Sequence, residues 1–239
     1  LLGGIADAIQ IATLLSKSGL HVIYSISGLV RKPELDCEVR IGGFGGAEGL
    51  SQYLQTERID LVIDATHPYA DNISRNASTA ALLTNIPCWQ YVRPGFAAEV
   101  LGEHERFITM ERLIKGINRL ERPFFATGKG QFSYLSLRPT SQHWLIRTAM
   151  ACPAIIGCTI INGIGPFTVE QEFAFLQKHQ ADGLVSKDGG SIKMSAKFTA
   201  AKQLSLPVFI LDRPSLPQSD RFFTKPDALV AAVLQEATL

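Results

Sequence analysis

Short apolar runs alternate with helix-period segments from one end of this chain to the other, and that alternation restricts it to an α/β fold with parallel sheets. Strands are expected at 20–26, 59–63 and 87–91, with helices near 6–16, 47–55 and 70–83. Arg93-Pro94-Gly95 then breaks the periodicity, and the segment out to about residue 106 carries the punctuation of a linker. Beyond it, strands are expected at 107–110, 123–126, 143–147, 157–161, 183–185 and 207–211, and helices at 169–178, 195–204 and 226–235. The chain has 239 residues, enough for two units that each bury a core. The fold expected is two Rossmann-like units, 1–95 and 106–239, with a cleft between them. There is no sequence repeat between the halves.

Composition removes several classes of partner. The formal net charge is +1 and 19% of residues are charged, so no global field favours nucleic acid or an anionic membrane surface. No apolar run reaches the length of a membrane span, since Pro153 and Gly157 break the longest. Cys37, Cys88, Cys152 and Cys158 form no Cys-x-x-Cys pair, which reads as reduced thiols in a cytoplasmic protein. No signal-peptide pattern opens the chain; Leu1-Leu2-Gly3-Gly4 reads as the tail of a first strand. No coiled-coil heptad declares itself, and a monomer is expected.

The densest chemistry lies in residues 61–70, where an apolar strand delivers Asp64, Thr66 and His67 onto its carboxyl end. Open α/β sheets bind ligands at that edge. A Pro-containing turn follows, and then Asp71, Asn72 and Ser74 offer capping groups for a helix. Histidine holds or relays a proton near neutral pH, and a carboxylate beside it can orient its neighbours, so Asp64, Thr66 and His67 are the catalytic candidates. A loop-ordering hydrogen bond is the plainer role for the same histidine.

These residues resemble the signature of the precorrin-6A reductases of corrin (vitamin B12) biosynthesis. The resemblance rests on Asp64-Ala65-Thr66-His67-Pro68-Tyr69-Ala70, continued by Ile73, Ser74, Asn76 and Ala77. It extends to Gly3-Gly4, to the glycines flanking Phe44, to Gly165-Pro166-Phe167 before Glu170, to Lys187-Asp188-Gly189-Gly190, and to Pro207-Val208 leading to Arg213-Pro214. It covers nearly the whole chain. It implies hydride delivery from NADPH to a ring carbon of a tetrapyrrole polycarboxylate, with protonation of the adjoining carbon by a side chain or water. It also implies exchange of the last strands between the two sheets. Whether the macrocycle is metal-free or holds cobalt stays open, and no protein metal site is expected.

The residues agree with a nucleotide site in the first half. Gly3-Gly4 before a helix lets a phosphate approach backbone N–H groups. The strand ending at Tyr24-Ser25-Ile26-Ser27-Gly28 carries no acid to grip a ribose 2′-hydroxyl, while Ser25, Ser27, Arg31 and Lys32 suit a 2′-phosphate, which favours NADPH. Phe44, between Gly42-Gly43 and Gly45-Gly46, packs either on a flat ligand or into the core. The cofactor-facing set is Gly3, Gly4, Ile5, Ser27, Gly28, Arg31, Gly43, Phe44, Gly45 and Ala65. The chain departs from the family at Ile5 (usually Thr), Asp7 (usually Glu) and Leu29 (often Arg).

In the second half, parallel topology sends Thr127-Gly128-Lys129-Gly130, Arg147, Lys187 and Arg213 to one sheet edge, as a ligand rich in carboxylates requires. Lys197 joins them through the family's Lys-x-x-Ala-Ala pattern, although a helical lysine is usually a solvated one. The substrate-facing set is Thr127, Lys129, Arg147, Lys187, Lys197 and Arg213, and Asp188 is expected to weaken anion binding locally. Thr168 with Glu170 reads as a helix start. Two rival readings remain. A short-chain dehydrogenase is disfavoured because none of the five tyrosines has a lysine four residues later, and a non-catalytic NADPH-sensing module would not need the second cationic edge.

Overall fold

The computed structural model describes residues 1–28, 33–149 and 151–237. The chain divides into two compact units, one of residues 1–94 with 214–239 and one of residues 95–213. The division expected at 1–95 and 106–239 is therefore corrected at both ends. Residues 96–105, expected as linker, build the second unit, and the last segment returns to the first.

The first unit contains α1 (Ala6–Lys17), β1 (Ile23–Ile26), β2 (Glu38–Ile41), α2 (Ala47–Thr56), β3 (Val62–Asp64), α3 (Asp71–Thr84) and β4 (Cys88–Tyr91). The second contains α4 (Ala98–Leu101), β5 (His104–Phe107), α5 (Met110–Gly116), β6 (Pro123–Phe125), a 3-10 stretch (Gly128–Leu137), β7 (Trp144–Thr148), β8 (Cys158–Asn162), α6 (Val169–Lys178), β9 (Gly183–Lys187), a short 3-10 turn (Ile192–Met194), α7 (Ala196–Gln203) and β10 (Val208–Leu211). β11 (Arg221–Phe223) and α8 (Pro226–Glu236) complete the first unit.

In the first unit Leu2 bridges in parallel to Ser25 of β1 and to Asp64 of β3, which joins β2-β1 to β3-β4-β11. Leu2 N–H donates to the Ile63 carbonyl and Ser25 N–H to that of Leu1, both at 2.8 Å. Strand order thus runs outward in both directions from Leu1-Leu2, as in doubly wound nucleotide-binding sheets, where ligands sit at the reversal point. Alternation along β3 and β4 makes the two cores. Ile63, Trp89 and Tyr91 pack with α1 and α8, whereas Val62 and Cys88 pack with Leu50 and Leu54 of α2 and Ala77, Ala80 and Ala81 of α3.

The second sheet is wholly parallel, in the order β5-β10-β9-β6-β7-β8. One face buries Phe124, Leu145, Leu184 and Ile210 under α6 and α7. The other buries Phe125, Trp144, Ile146, Val185 and Phe209 under α5. The strand expected at 107–110 lies earlier, because Thr109 caps α5 by accepting from the Arg112 N–H. At α6 the cap is Thr168, with Gln171 as its reciprocal partner. Among the described residues no helix is long and apolar enough to cross a membrane.

Candidate active site

Gly3-Gly4 leaves the sheet at the reversal point and leads directly into α1. Gly3 has no alternative, since a Cβ there would collide with the Tyr24 ring. The Tyr24 hydroxyl accepts the Gly4 N–H at 2.9 Å, so this donor is engaged by the protein itself. Ile5, assigned to the cofactor from sequence, turns its side chain into the core at 8% exposure and leaves only backbone to a ligand. Asp7, in the first turn of α1, accepts the Tyr91 hydroxyl at 2.6 Å and Arg93 Nε at 2.7 Å. Burial pushes its carboxyl up, but hydrogen bonds from Arg93 and Tyr91 and the Arg93 charge outweigh this and hold it below the ordinary carboxylate range. The departure at position 7 therefore places an ionised carboxylate, its charge compensated by Arg93, in the first turn of α1.

Ser27 and Gly28 are exposed directly after β1, and no acid stands there. Arg31, with Leu29 and Lys32, lies outside the described residues. The glycine loop after β2 has an organiser that the sequence did not announce. Arg40 donates to the carbonyls of Gly42 at 2.6 Å and Gly43 at 2.9 Å. Its guanidinium lies 3.7 Å from the Phe44 ring centroid, and Phe44 meets Tyr53 edge-on at 5.1 Å. Phe44 also packs against the core beneath α2 and α3, so it takes the packing role rather than presenting a free aromatic face. Gly45 stays exposed.

The corner after β3 is braced by its own carboxylate. Asp64, 4% exposed, accepts the Thr66 N–H at 3.1 Å and the Thr66 hydroxyl at 2.7 Å. The Ser74 hydroxyl lies 3.4 Å from that of Thr66. Ala65 is buried, and its N–H donates to the Leu2 carbonyl. His67 is exposed; its Nδ1 accepts the Tyr69 N–H at 3.3 Å, which puts the proton of the neutral ring on Nε2. No side chain caps α3; Asp71 instead pairs with Arg75 one turn later. Beneath the corner, burial and the charges of Asp64 and Asp220 push the Cys88 thiol up to about 12, so it stays protonated.

In the second unit all the expected cations reach the carboxyl edge, but they are employed differently. Arg147 forms a two-pronged pair with Glu172 at 2.7 and 2.6 Å. Its guanidinium sits 4.8, 4.3 and 4.9 Å from the ring centroids of Phe124, Phe167 and Phe175. The fork expected to receive a ligand carboxylate is thus occupied from within. Arg213 donates Nε to the Asp188 carbonyl at 2.8 Å. Asp188 is 5% exposed and accepts the Phe96 N–H at 2.8 Å and Arg106 Nη2 at 2.9 Å. Its charge is compensated, which corrects the expectation that it weakens anion binding. Thr127 is buried and donates to Gln131 Oε1 at 2.7 Å, which turns its hydroxyl inward.

Three lysines complete the edge. Lys129 is exposed. Lys187 Nζ lies 3.8 Å from where a Cβ on Gly130 would stand, which brings the ends of β9 and β6 together, and burial lowers its pKa. Lys197 is not a solvated helical lysine. It is 7% exposed and donates to the Met194 carbonyl at 3.0 Å. Burial, with the Arg147 charge and against that of Glu172, lowers it to about 8.

A family model described as precorrin-6x reductase CbiJ/CobK matches residues 1–234. The chain belongs to this family. A precorrin-6A reductase of Rhodococcus erythropolis is 34% identical over 227 residues, covering 91% of this chain and 89% of the relative. One from Rhodobacter capsulatus is 32% identical over 227 residues, covering 92% and 89%. The solved structure of CobK precorrin-6A reductase matches with a TM-score of 0.86 at 29% identity, over 98% of this chain and 95% of that one. The sequence resemblance to the precorrin-6x reductase family is borne out. The residues that sequence reasoning missed in this family member are Arg40, Tyr91, Arg93, Arg106 and Glu172. Only the position of Arg93 before Pro94 and of Arg40 beside the glycines offered a cue.

Proposed function

We propose that this chain reduces precorrin-6A to its dihydro product in corrin biosynthesis, with NADPH held by the first unit and the tetrapyrrole's carboxylates by the second. The observation that carries the reading is the Gly3-Gly4 turn at the reversal point of a doubly wound sheet, in a chain whose relatives are precorrin-6A reductases. The turn at Gly3-Gly4, bare of side chains, lets a pyrophosphate come close to the start of α1 at Ile5. Ser27 and Gly28, with no acid beside them, suit a phosphorylated ribose. NADPH supplies a hydride, and hence the electron pair, to one carbon of a ring double bond. The adjoining carbon gains a proton, and the product is two hydrogens richer.

For that proton, Asp64 holds Thr66 in place, and His67, exposed at the same corner, takes a proton from solvent and passes it on to the macrocycle in its imidazolium form. Lys129 and Lys187 meet the rim carboxylates directly. Arg147, Lys197, Arg213 and Thr127, engaged within the unit, fix the loops that carry them. Replacing Lys187 with Ala is expected to raise the Michaelis constant for the tetrapyrrole on the order of tenfold, a charge-assisted hydrogen bond's worth, while that for NADPH stays within about twofold. Equal changes in both would contradict the division of labour. Parallel assays with cobalt-precorrin-6A decide which macrocycle is preferred.

A further inference from the structure

Among the described residues of the second unit, the large exposed apolar side chains are Ile108, Leu137, Ile156, Ile164, Ile192 and Met194, and three of them fall on two loops that touch. Ile164, 56% exposed, lies between β8 and α6; Ile192, 69% exposed, and Met194, 40% exposed, lie in the turn between β9 and α7. A Cβ on Gly165 would stand 2.7 Å from Met194 Cε and 3.6 Å from the Phe167 ring. Because every strand is parallel, both loops stand at the carboxyl edge of the sheet, as Lys129 and Lys187 do.

The patch is held from below. Lys197 fastens the Met194 carbonyl, and Phe167 rests on the Arg147 guanidinium that Glu172 grips. Lys193, exposed, projects from between Ile192 and Met194. Packing of the unit does not call for three bared apolar side chains at this point, since the core beneath is closed by Phe124, Leu176 and Phe198. Contiguous apolar surface with a charged rim marks a recognition site.

We infer that Ile164, Ile192 and Met194 form a platform for the face of the flat macrocycle, with Lys193 beside them as a partner for a rim carboxylate. The inference rests on the tetrapyrrole reading and adds to it the residues that take the ring's apolar face. An apolar face with anionic substituents is complementary to apolar side chains interleaved with lysine.

The test is an anaerobic equilibrium titration of precorrin-6A, followed by its absorbance, into the wild type, Ile192→Ser, Ile192→Ser/Met194→Ser, Lys193→Gln and, as control, Ile156→Ser. NADPH binding and sedimentation are measured on each. The single platform variant is expected to weaken tetrapyrrole binding several-fold and the double variant on the order of tenfold. Lys193→Gln should weaken it most at low salt, and NADPH binding and the control should be unchanged. Wild-type affinity in Ile192→Ser and the double variant would overturn the platform while leaving the tetrapyrrole reading intact. Equal weakening by Ile156→Ser would overturn it as unspecific. A wild-type dimer made monomeric by the double variant, with tetrapyrrole binding kept, would assign the patch to a second copy. No binding of precorrin-6A by the wild type would sink both readings.

Discussion

Burial opposes the charge of Lys197. Its folded pKa of about 8, against an ordinary 10.5, corresponds to about 3 kcal/mol held against folding. Below pH 8 the ammonium is charged in both states and the whole cost applies. Between about 8 and 10.5 the folded chain sheds its proton first, so the cost fades as pH rises. Lys197→Met should accordingly be more stable than the wild type in urea at pH 7, by up to about 3 kcal/mol, with the gap closing toward pH 10; a constant gap would contradict the burial argument. The Arg147–Glu172 pair behaves oppositely. Removing one partner strands the other charge, so Glu172→Ala should cost about 3–5 kcal/mol by denaturant titration. His67 offers a kinetic test at the same scale: His67→Gln should lower kcat on the order of a hundredfold with both Michaelis constants near wild type, while an unchanged kcat would assign the ring a turn-ordering role instead.

Among the elements, the glycine loop after β2 and helix α2 are locked by contact as much as by sequence. A Cβ on Gly49 would run into the Phe44 carbonyl, and Arg40 ties the two preceding carbonyls. Gly49→Ala should therefore displace the loop, costing about 1–3 kcal/mol in stability, as overpacking does, and raising the Michaelis constant for NADPH but not for the tetrapyrrole. The alternation of strands and helices was legible because period and punctuation are local properties, and the helix at 169–178 emerged at its expected ends. β2 and β11 were not legible, being short segments at the sheet's outer edges with half-exposed residues that show little apolar run. The corner at Asp64 was legible for the same local reason. The employment of the cations was not. Arg147 finds Glu172 across 25 residues and Arg106 finds Asp188 across 82, pairings that only the folded sheet creates.

On the scale of the whole molecule, the chain crosses from the first unit to the second and back, a return that the family resemblance implied but the residues alone did not, because nothing in a parallel repeat says which sheet the last strand will join. β11 pairs with β4, Asp220 accepts the Cys88 N–H at 2.7 Å, and Leu229, Val230 and Val233 of α8 sit in the core with α1. Removal of residues 214–239 should therefore unfold the first unit and, on the proposed function, abolish NADPH binding, as seen by calorimetry; retained binding would contradict the assignment of this segment to the first unit's core. The central claim is tested most directly by following NADPH oxidation anaerobically with the purified protein and precorrin-6A, NADH run in parallel. The account predicts stoichiometric consumption of NADPH, little of NADH, and a product two hydrogens heavier by mass spectrometry. Binding of NADPH without consumption, on both precorrin-6A and its cobalt form, would contradict it.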